Sequence, residues 1–222
     1  MDLFGTIIAV SDNNSNVKAC IQNPHIELKL REDGKINVGR AVGKNGFLNI
    51  IKDIGLKEPY VGIVPLTSGE IAEDFARYFA ESEQVNNAIA LGVLVNYSGV
   101  KRAGGYEITL MPDVSDDIVT IIEENLKNAP QISKLLSENK KLKEIAEIIS
   151  GDKNLKVLED SVIPKYQCNC SLEKFEKGLI SLGKSELHDL HKSGESVEIK
   201  CQFCNKKYIF DKEKIRTIID NL

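Results

Sequence analysis

Four of the five cysteines lie in the last quarter of the chain, as Cys168-Asn-Cys170 and Cys201-Gln-Phe-Cys204, with thirty residues between the two groups. No other feature constrains the fold as tightly, because two close thiol pairs that must meet dictate how the intervening chain turns back. The odd count, with Cys20 standing alone, argues against a disulfide framework. In a reducing compartment two such pairs read as a zinc site, since zinc takes four tetrahedral ligands and thiolates suit it. The Cys-x-x-Cys half is a knuckle whose turn aims both sulfurs at one ion. Two cysteines two apart on an extended segment also project to one side. The site is read as structural or, because every ligand is oxidisable, as a redox switch. Cys20 is read as a small semi-buried hydrophobe.

The rest of the chain divides into three expected segments. Residues 1–112 alternate strand-like stretches, at Gly5 to Val10, Val17 to Ile21, Ile36 to Val42, Phe47 to Ile51, Tyr60 to Val64 and Tyr106 to Met111, with turn residues. A turn is expected at Gly104-Gly105, and Ala88 to Val95 reads as a buried strand. One helix stands out: Thr67 as N-cap with Glu70 three positions on forms a capping box, and Ile71, Phe75, Tyr78 and Phe79 share a face. This mixture predicts an α+β domain. Residues 113–160 contain no aromatic residue and carry 11 acidic side chains against 7 basic, which accounts for the whole net charge of −4. Three short amphipathic helices are expected there: one capped near Ser115, one around Ile132, Leu135 and Leu136, and one from Leu142 stopped by Gly151. They are too short to stand alone in water and need a neighbour, here expected to be the segment that follows.

Residues 161–222 hold the thiols. A helix capped by Ser171 and stopped by Gly183, a short helix from Ser185 to His191, a hairpin of Val197 to Lys200 with Lys207 to Phe210, and a final helix capped by Asp211 are expected. About sixty residues make a marginal core, so this segment is expected to fold only with its metal. His188 and His191 are read as a solvated helix face, because four cysteines already complete a tetrahedron.

Composition narrows the function. Hydrophobic residues at 42% and charged residues at 28% exclude a wholly disordered chain. The acidic balance, 29 Lys+Arg against 33 Asp+Glu, disfavours a general nucleic-acid binder. The thiol segment has 11 basic against 9 acidic side chains, and a zinc tetrathiolate would cancel that excess. No apolar run approaches a membrane span, and Met1-Asp-Leu-Phe-Gly lacks the basic start of a signal peptide, so a soluble, cytoplasmic protein is expected. Ser68-Gly-Glu and Val38-Gly-Arg-Ala-Val-Gly lack the spacing of phosphate loops and are read as turn or packing motifs.

A zinc-bound sulfur is a thiolate, open to stepwise oxidation, and neighbouring thiols then condense to disulfides. Locality pairs Cys168 with Cys170 and Cys201 with Cys204. A disulfide ligates zinc poorly, so the metal leaves, the thiol segment loses most of its folding free energy, and the helices resting on it expose apolar faces that bind unfolded protein. The alternatives are a structural zinc-ribbon module for nucleic acid or protein, and a thiol oxidoreductase. The second lacks the βαβ context its Cys-x-x-Cys would need.

The ordered set Asn23-Pro-His, Val38-Gly-Arg-Ala-Val-Gly, Gly46-Phe-Leu, Ser68-Gly-Glu-Ile-Ala-Glu-Asp-Phe-Ala, Ser82-Glu-Gln, Gly104-Gly-Tyr, Cys168-Asn-Cys-Ser, Leu179-Ile-Ser-Leu-Gly and Cys201-Gln-Phe-Cys-Asn resembles the redox-regulated heat-shock chaperones of thirty-three kilodaltons. The resemblance implies a cytoplasmic stress-response chaperone that is not an enzyme and is inactive when reduced and zinc-bound. It implies Cys168, Cys170, Cys201 and Cys204 as zinc ligands and redox centres, one zinc per chain, and two local disulfides on oxidation. It further implies an oxidised homodimer that holds unfolding clients without ATP, with no nucleic-acid or membrane partner. The implied fold is an α/β-sandwich-like domain, a helical linker and a small zinc domain. In the family a segment like Leu3-Phe-Gly-Thr-Ile-Ile-Ala-Val lies inside the first domain, so the first strands are expected to be missing and strand edges and core surface to be open.

Overall fold

A computed structural model describes residues 3–158 and 163–222 of the 222-residue chain. The expected boundary between the second and third segments, at 160/161, lies outside the described residues. Contacts divide the chain into two compact units: Met1–Gly5 with Asn23–Asp160, and Thr6–Gln22 with Ser161–Leu222.

In the first unit, α1 (Val38–Val42) replaces the strand expected from Ile36 to Val42. Asn37 caps it, its side chain accepting from Arg40 N at 3.0 Å, and Gly39 lets it lie against the loop 68–70. A Cβ on Gly69, whose φ is +75°, would stand 2.5 Å from Gly43 O and 2.7 Å from Gly39 O. Glu70 Oε1 accepts from Gly39 N at 3.2 Å. The two glycine motifs of the sequence therefore pack on each other.

Strands β3 (Phe47–Lys52) and β4 (Tyr60–Pro65) form an antiparallel pair. Helix α2 (Ile71–Glu81) covers one face of it, with Tyr78 fully buried against Gly62. The expected Thr67 capping box is not formed. Glu70 occupies the N-cap without a side-chain cap bond. Buried Asp74, one turn into the helix, instead accepts from the backbone N–H groups of Thr67 (2.7 Å) and Ser68 (3.3 Å).

Strands β5 (Asn87–Asn96) and β6 (Gly99–Thr109) form a long hairpin. Gly104 and Gly105 lie inside β6 rather than in a turn, and β5 is half-exposed rather than buried. The glycines make the sheet thin enough for a helix: a Cβ on Gly92 would meet Ile132 Cγ2 at 2.7 Å, and one on Gly104 would meet Leu136 Cδ1 at 3.2 Å.

Helices α3 (Asp116–Asn128), α4 (Ile132–Ser137) and α5 (Leu142–Ser150) follow, the last stopped by Gly151 in the left-handed region at φ +74°. Ile132, Leu135, Ile145 and Ile149 form their core, packed on Ala90, Tyr106 and Ile108 of the hairpin. The support that the sequence reading sought in the thiol segment is thus provided by β5 and β6. Among the described residues β3 and β4 pair only with each other, and one face of that pair exposes Phe47, Ile51, Val61 and Ile63.

In the second unit, β1 (Ile7–Ser11) and β2 (Asn16–Ile21) form a hairpin, and β2 pairs in parallel with the two-residue β7 (Lys165–Tyr166). The first hairpin, expected in the opening domain, thus groups with the thiols. Helices α6 (Leu172–Ile180) and α7 (Lys184–Ser193), hairpin β8 (Val197–Lys200) and β9 (Lys207–Phe210), and α8 (Lys212–Asp220) complete it. The expected caps are in place: Ser171 accepts from Lys174 N at 3.3 Å and Asp211 from Lys214 N at 2.9 Å. Leu179, Leu187, Tyr208, Phe210, Ile215, Ile218 and Ile219 are buried together.

Candidate metal centre

Cys168 and Cys170 lie on the extended stretch between β7 and α6, and Ser171 starts the helix immediately after them. Cys201 and Cys204 flank the turn between β8 and β9. That turn is closed by Cys201 N to Lys206 O (2.9 Å) and Asn205 N to Cys201 O (2.8 Å). Asn205 sits at φ +63°, a left-handed position that Asn tolerates better than most residues.

These two segments bring all four Sγ atoms within 4.8 Å of one another. Cys168 Sγ lies 3.7 Å from Cys201 Sγ, and Cys170 Sγ lies 3.4 Å from Cys204 Sγ. Zinc–sulfur bonds of about 2.3 Å in a tetrahedron place sulfurs about 3.8 Å apart, so the donor set fits zinc in number, chemistry and spacing. His188 and His191 on α7 do not belong to the cluster, and Cys20 on β2 does not either.

The surroundings favour negative sulfur at Cys170. The Tyr208 hydroxyl donates to Cys170 Sγ at 3.1 Å. That bond, with smaller contributions from the other thiols, brings Cys170 down to about 7. The phenol of Tyr208 moves up in response to the same bond. Burial pushes Cys168 up. At Cys204 the backbone N–H of Lys206 lowers the pKa, but Cys170, burial and the remaining thiols outweigh it and push it up to about 12. Four sulfurs this close cannot all ionise by themselves; a dication bound among them reverses that. Three lysines stand around the cluster: Lys174 Nζ donates to Asn169 O (2.8 Å), Lys18 Nζ to Asn169 Oδ1 (2.7 Å), and Lys206 Nζ lies 5.2 Å from the Tyr208 ring centre.

Sequence reasoning named the four thiols and missed Tyr208, Lys18, Asn169 and Phe203. The alternation of β9 marks Tyr208 as inward-facing, but nothing local marks its hydroxyl as a thiol partner.

The model of the family described as "Hsp33 protein" matches residues 2–211. The chain belongs to this Hsp33 family. Relatives named 33 kDa chaperonin include one from Clostridium botulinum (strain Eklund 17B / Type B), 46% identical over 97% of this chain and 73% of the relative. Another, from Clostridium perfringens (strain SM101 / Type A), is 48% identical over 97% of this chain and 68% of its own length. The crystal structure of the 33 kDa chaperonin (heat shock protein 33 homolog) from Thermotoga maritima superposes with a TM-score of 0.89 at 40% identity. It covers 100% of this chain and 75% of that one. The chain is therefore an Hsp33-type chaperone of mixed α+β fold with a four-cysteine cluster suited to a metal. The names of these relatives describe chaperonins rather than enzymes. No helix among the described residues is long and apolar enough to cross a membrane.

Proposed function

We propose that this Hsp33 chain is a redox-regulated, ATP-independent holdase, and the clustering of four thiols within 4.8 Å carries the reading. Zinc, when bound, would keep all four sulfurs as thiolates and tie the segment after β7 to the β8–β9 turn. Cys168, Cys170, Cys201 and Cys204 are then both its ligands and the oxidation sensor. A peroxide takes two electrons from each thiolate pair: one S–S bond forms, the O–O bond breaks, and two protons complete two waters.

The resulting disulfides join Cys168 to Cys170 and Cys201 to Cys204, leaving no thiolate to hold the metal. The thiol unit, whose core is small, then unfolds. The helical segment of residues 113–160, which rests on β5 and β6 and is continuous in sequence with the thiol unit, detaches in turn and uncovers the apolar faces of α4 and α5, which join the exposed face of β3 and β4 in holding unfolding cytoplasmic proteins under oxidative stress. The oxidised chain pairs as a homodimer. The division by role into residues 1–112 (chaperone domain), 113–160 (linker) and 161–222 (switch) belongs to the same proposal, although in the folded chain β1 and β2 group with the switch and residues 113–160 with the chaperone unit. Neither nucleic acid nor membrane is a partner.

Peroxide treatment of reduced, zinc-loaded protein under mild heating is the test. Zinc release together with suppressed aggregation of a thermally unfolding client is expected. Zinc release without any suppression would refute the holdase. Peptide mapping of the oxidised protein is expected to find the two local disulfides. The crossed pairs Cys168–Cys201 and Cys170–Cys204 would contradict this pairing.

A further inference from the structure

The β1–β2 hairpin is a weak element by itself. All five residues of β1 are exposed, and a two-stranded hairpin is marginal in water. Its one further ladder among the described residues is two residues long, Asn16 with Lys165 and Val17 with Tyr166. Its burial pattern is also inverted. Along β2 the half-buried residues are Asn16, Lys18 and Cys20, while Val17, Ala19 and Ile21 face outward. Ordinary core packing would turn the apolar face inward. A hairpin that turns a lysine inward is docked by specific polar contacts.

Those contacts fall on the metal knuckles. Lys18 Nζ donates to the side chain of Asn169, the residue between Cys168 and Cys170, at 2.7 Å. The same ammonium lies 4.9 Å from the ring centre of Phe203, which stands between Cys201 and Cys204. The Tyr166 hydroxyl, just ahead of Cys168, lies 3.0 Å from Phe203 O and 3.1 Å from Ala19 O of β2, sharing its proton between them. Lys18 thus touches a loop residue inside each thiol pair, and Tyr166 links the second of them, Phe203, to the hairpin. The lysine also brings a positive charge beside a cluster that carries net negative charge when four thiolates bind zinc.

We infer that the β1–β2 hairpin is an outer layer of the metal centre, with Lys18 and Tyr166 as its positioning residues, so that metal binding and hairpin docking are thermodynamically linked. The inference rests on the metal reading of the four thiols. Outer partners of metal ligands commonly change metal affinity 10- to 100-fold when removed. Linkage is reciprocal: a hairpin that strengthens metal binding is itself held in place by the metal. Loss of zinc alone, with every thiol kept reduced, would then release the segment Thr6–Gln22.

The test uses the full chain under reductant. Zinc affinity is measured by competition with a chromophoric chelator for the parent, Lys18→Ala, Tyr166→Phe, Lys18→Arg and Lys192→Ala. Hydrogen exchange of residues 7–21 is followed with zinc bound and after stripping. Lys18→Ala and Tyr166→Phe are expected to weaken zinc binding about tenfold or more. Lys18→Arg keeps both the donor and the cation over the ring and is expected to restore most of the loss. Lys192→Ala, an exposed lysine on α7, is expected to have no effect. Stripping zinc is expected to speed exchange in residues 7–21 about tenfold or more while α2 is unchanged. Affinities of Lys18→Ala and Tyr166→Phe within about twofold of the parent, or hairpin exchange indifferent to zinc, would overturn the inference while leaving a zinc site standing. A parent chain that binds no zinc would overturn both.

Discussion

In the thiol-bearing unit Leu187, Phe210 and Ile215 are at most 1% exposed. In the other unit Phe47 and Ile51 of β3 are each 67% exposed. The first encloses these three beside a cysteine cluster suited to a metal and leaves only its β1–β2 hairpin and a few outer residues open. The second buries Tyr78 and Ala41 but leaves a whole sheet face to solvent. Under the proposed function the difference separates two jobs. A closed but small core is one whose folding can be switched by four sulfurs. An open sheet with exposed apolar side chains supplies surface that unfolded chains can share.

The largest expected effect comes from breaking the first term of that comparison. Cys201→Ser, or chelation of the reduced protein, should unfold the thiol unit, because zinc contributes about 10–16 kcal/mol of apparent free energy in comparable small domains. Side-chain NMR dispersion from Ile215 and Phe210 should collapse while that from Tyr78 persists. Simultaneous loss of both sets of signals would mean that the two units do not fold separately.

Next come core truncations. Phe210→Ala and Leu135→Ala should each cost about 2–5 kcal/mol in denaturant unfolding, whereas Phe47→Ala on the open face should fall within about 0.5 kcal/mol of the parent. Phe47→Ala should nonetheless weaken client holding by the oxidised chain. A large stability loss at Phe47 would show that its face is covered in solution.

Gly92→Ala sharpens the account of how α4 docks. Its new methyl group would meet Ile132 and the Ser133 backbone at 2.7 and 2.9 Å. About 1–3 kcal/mol of destabilisation, read by thermal unfolding, is expected.

The smallest effect concerns pH. Lys52 and then Tyr78, both hydrogen-bonded to Glu83, hold its carboxyl below the usual carboxylate range. A carboxylate with a depressed folded pKa contributes stability above its unfolded pKa, and this is lost as pH falls through the folded value. Acidification below about pH 4 should therefore loosen α2 from β3–β4 in the parent, as seen by the melting of Tyr78 signals, and less steeply in Glu83→Gln.

The legible parts of this molecule are those whose signals are local. Ser171 and Asp211 announce helices that begin at the next residue, and Gly151 ends α5; α6 closes at Ile180 with Ser181 as its C-cap, short of the expected stop at Gly183. The alternation in Val197–Lys200 and Lys207–Phe210 places β8 and β9 correctly, and the thiols beside them mark the metal centre. Where long-range packing decides, the sequence misleads. Val38-Gly-Arg-Ala-Val looks like a strand until Gly39 and Gly43 are seen to accept the loop at Gly69. Gly104-Gly105 looks like a turn, yet it thins β6 so that Leu136 can approach. Tyr166 pairs with Val17 across most of the chain, and neither residue carries any mark of the other. That is why the first hairpin was expected in the opening domain and is found beside the thiols.

Hydrogen exchange followed through peroxide treatment, with zinc release read in parallel, tests the separation of switch from surface most directly. The account predicts that residues 163–222 lose protection as zinc leaves, while Tyr78 and the rest of α2 remain protected. Protection of residues 163–222 that survives complete zinc release, or loss of α2 at the same rate as the thiol unit, would contradict it.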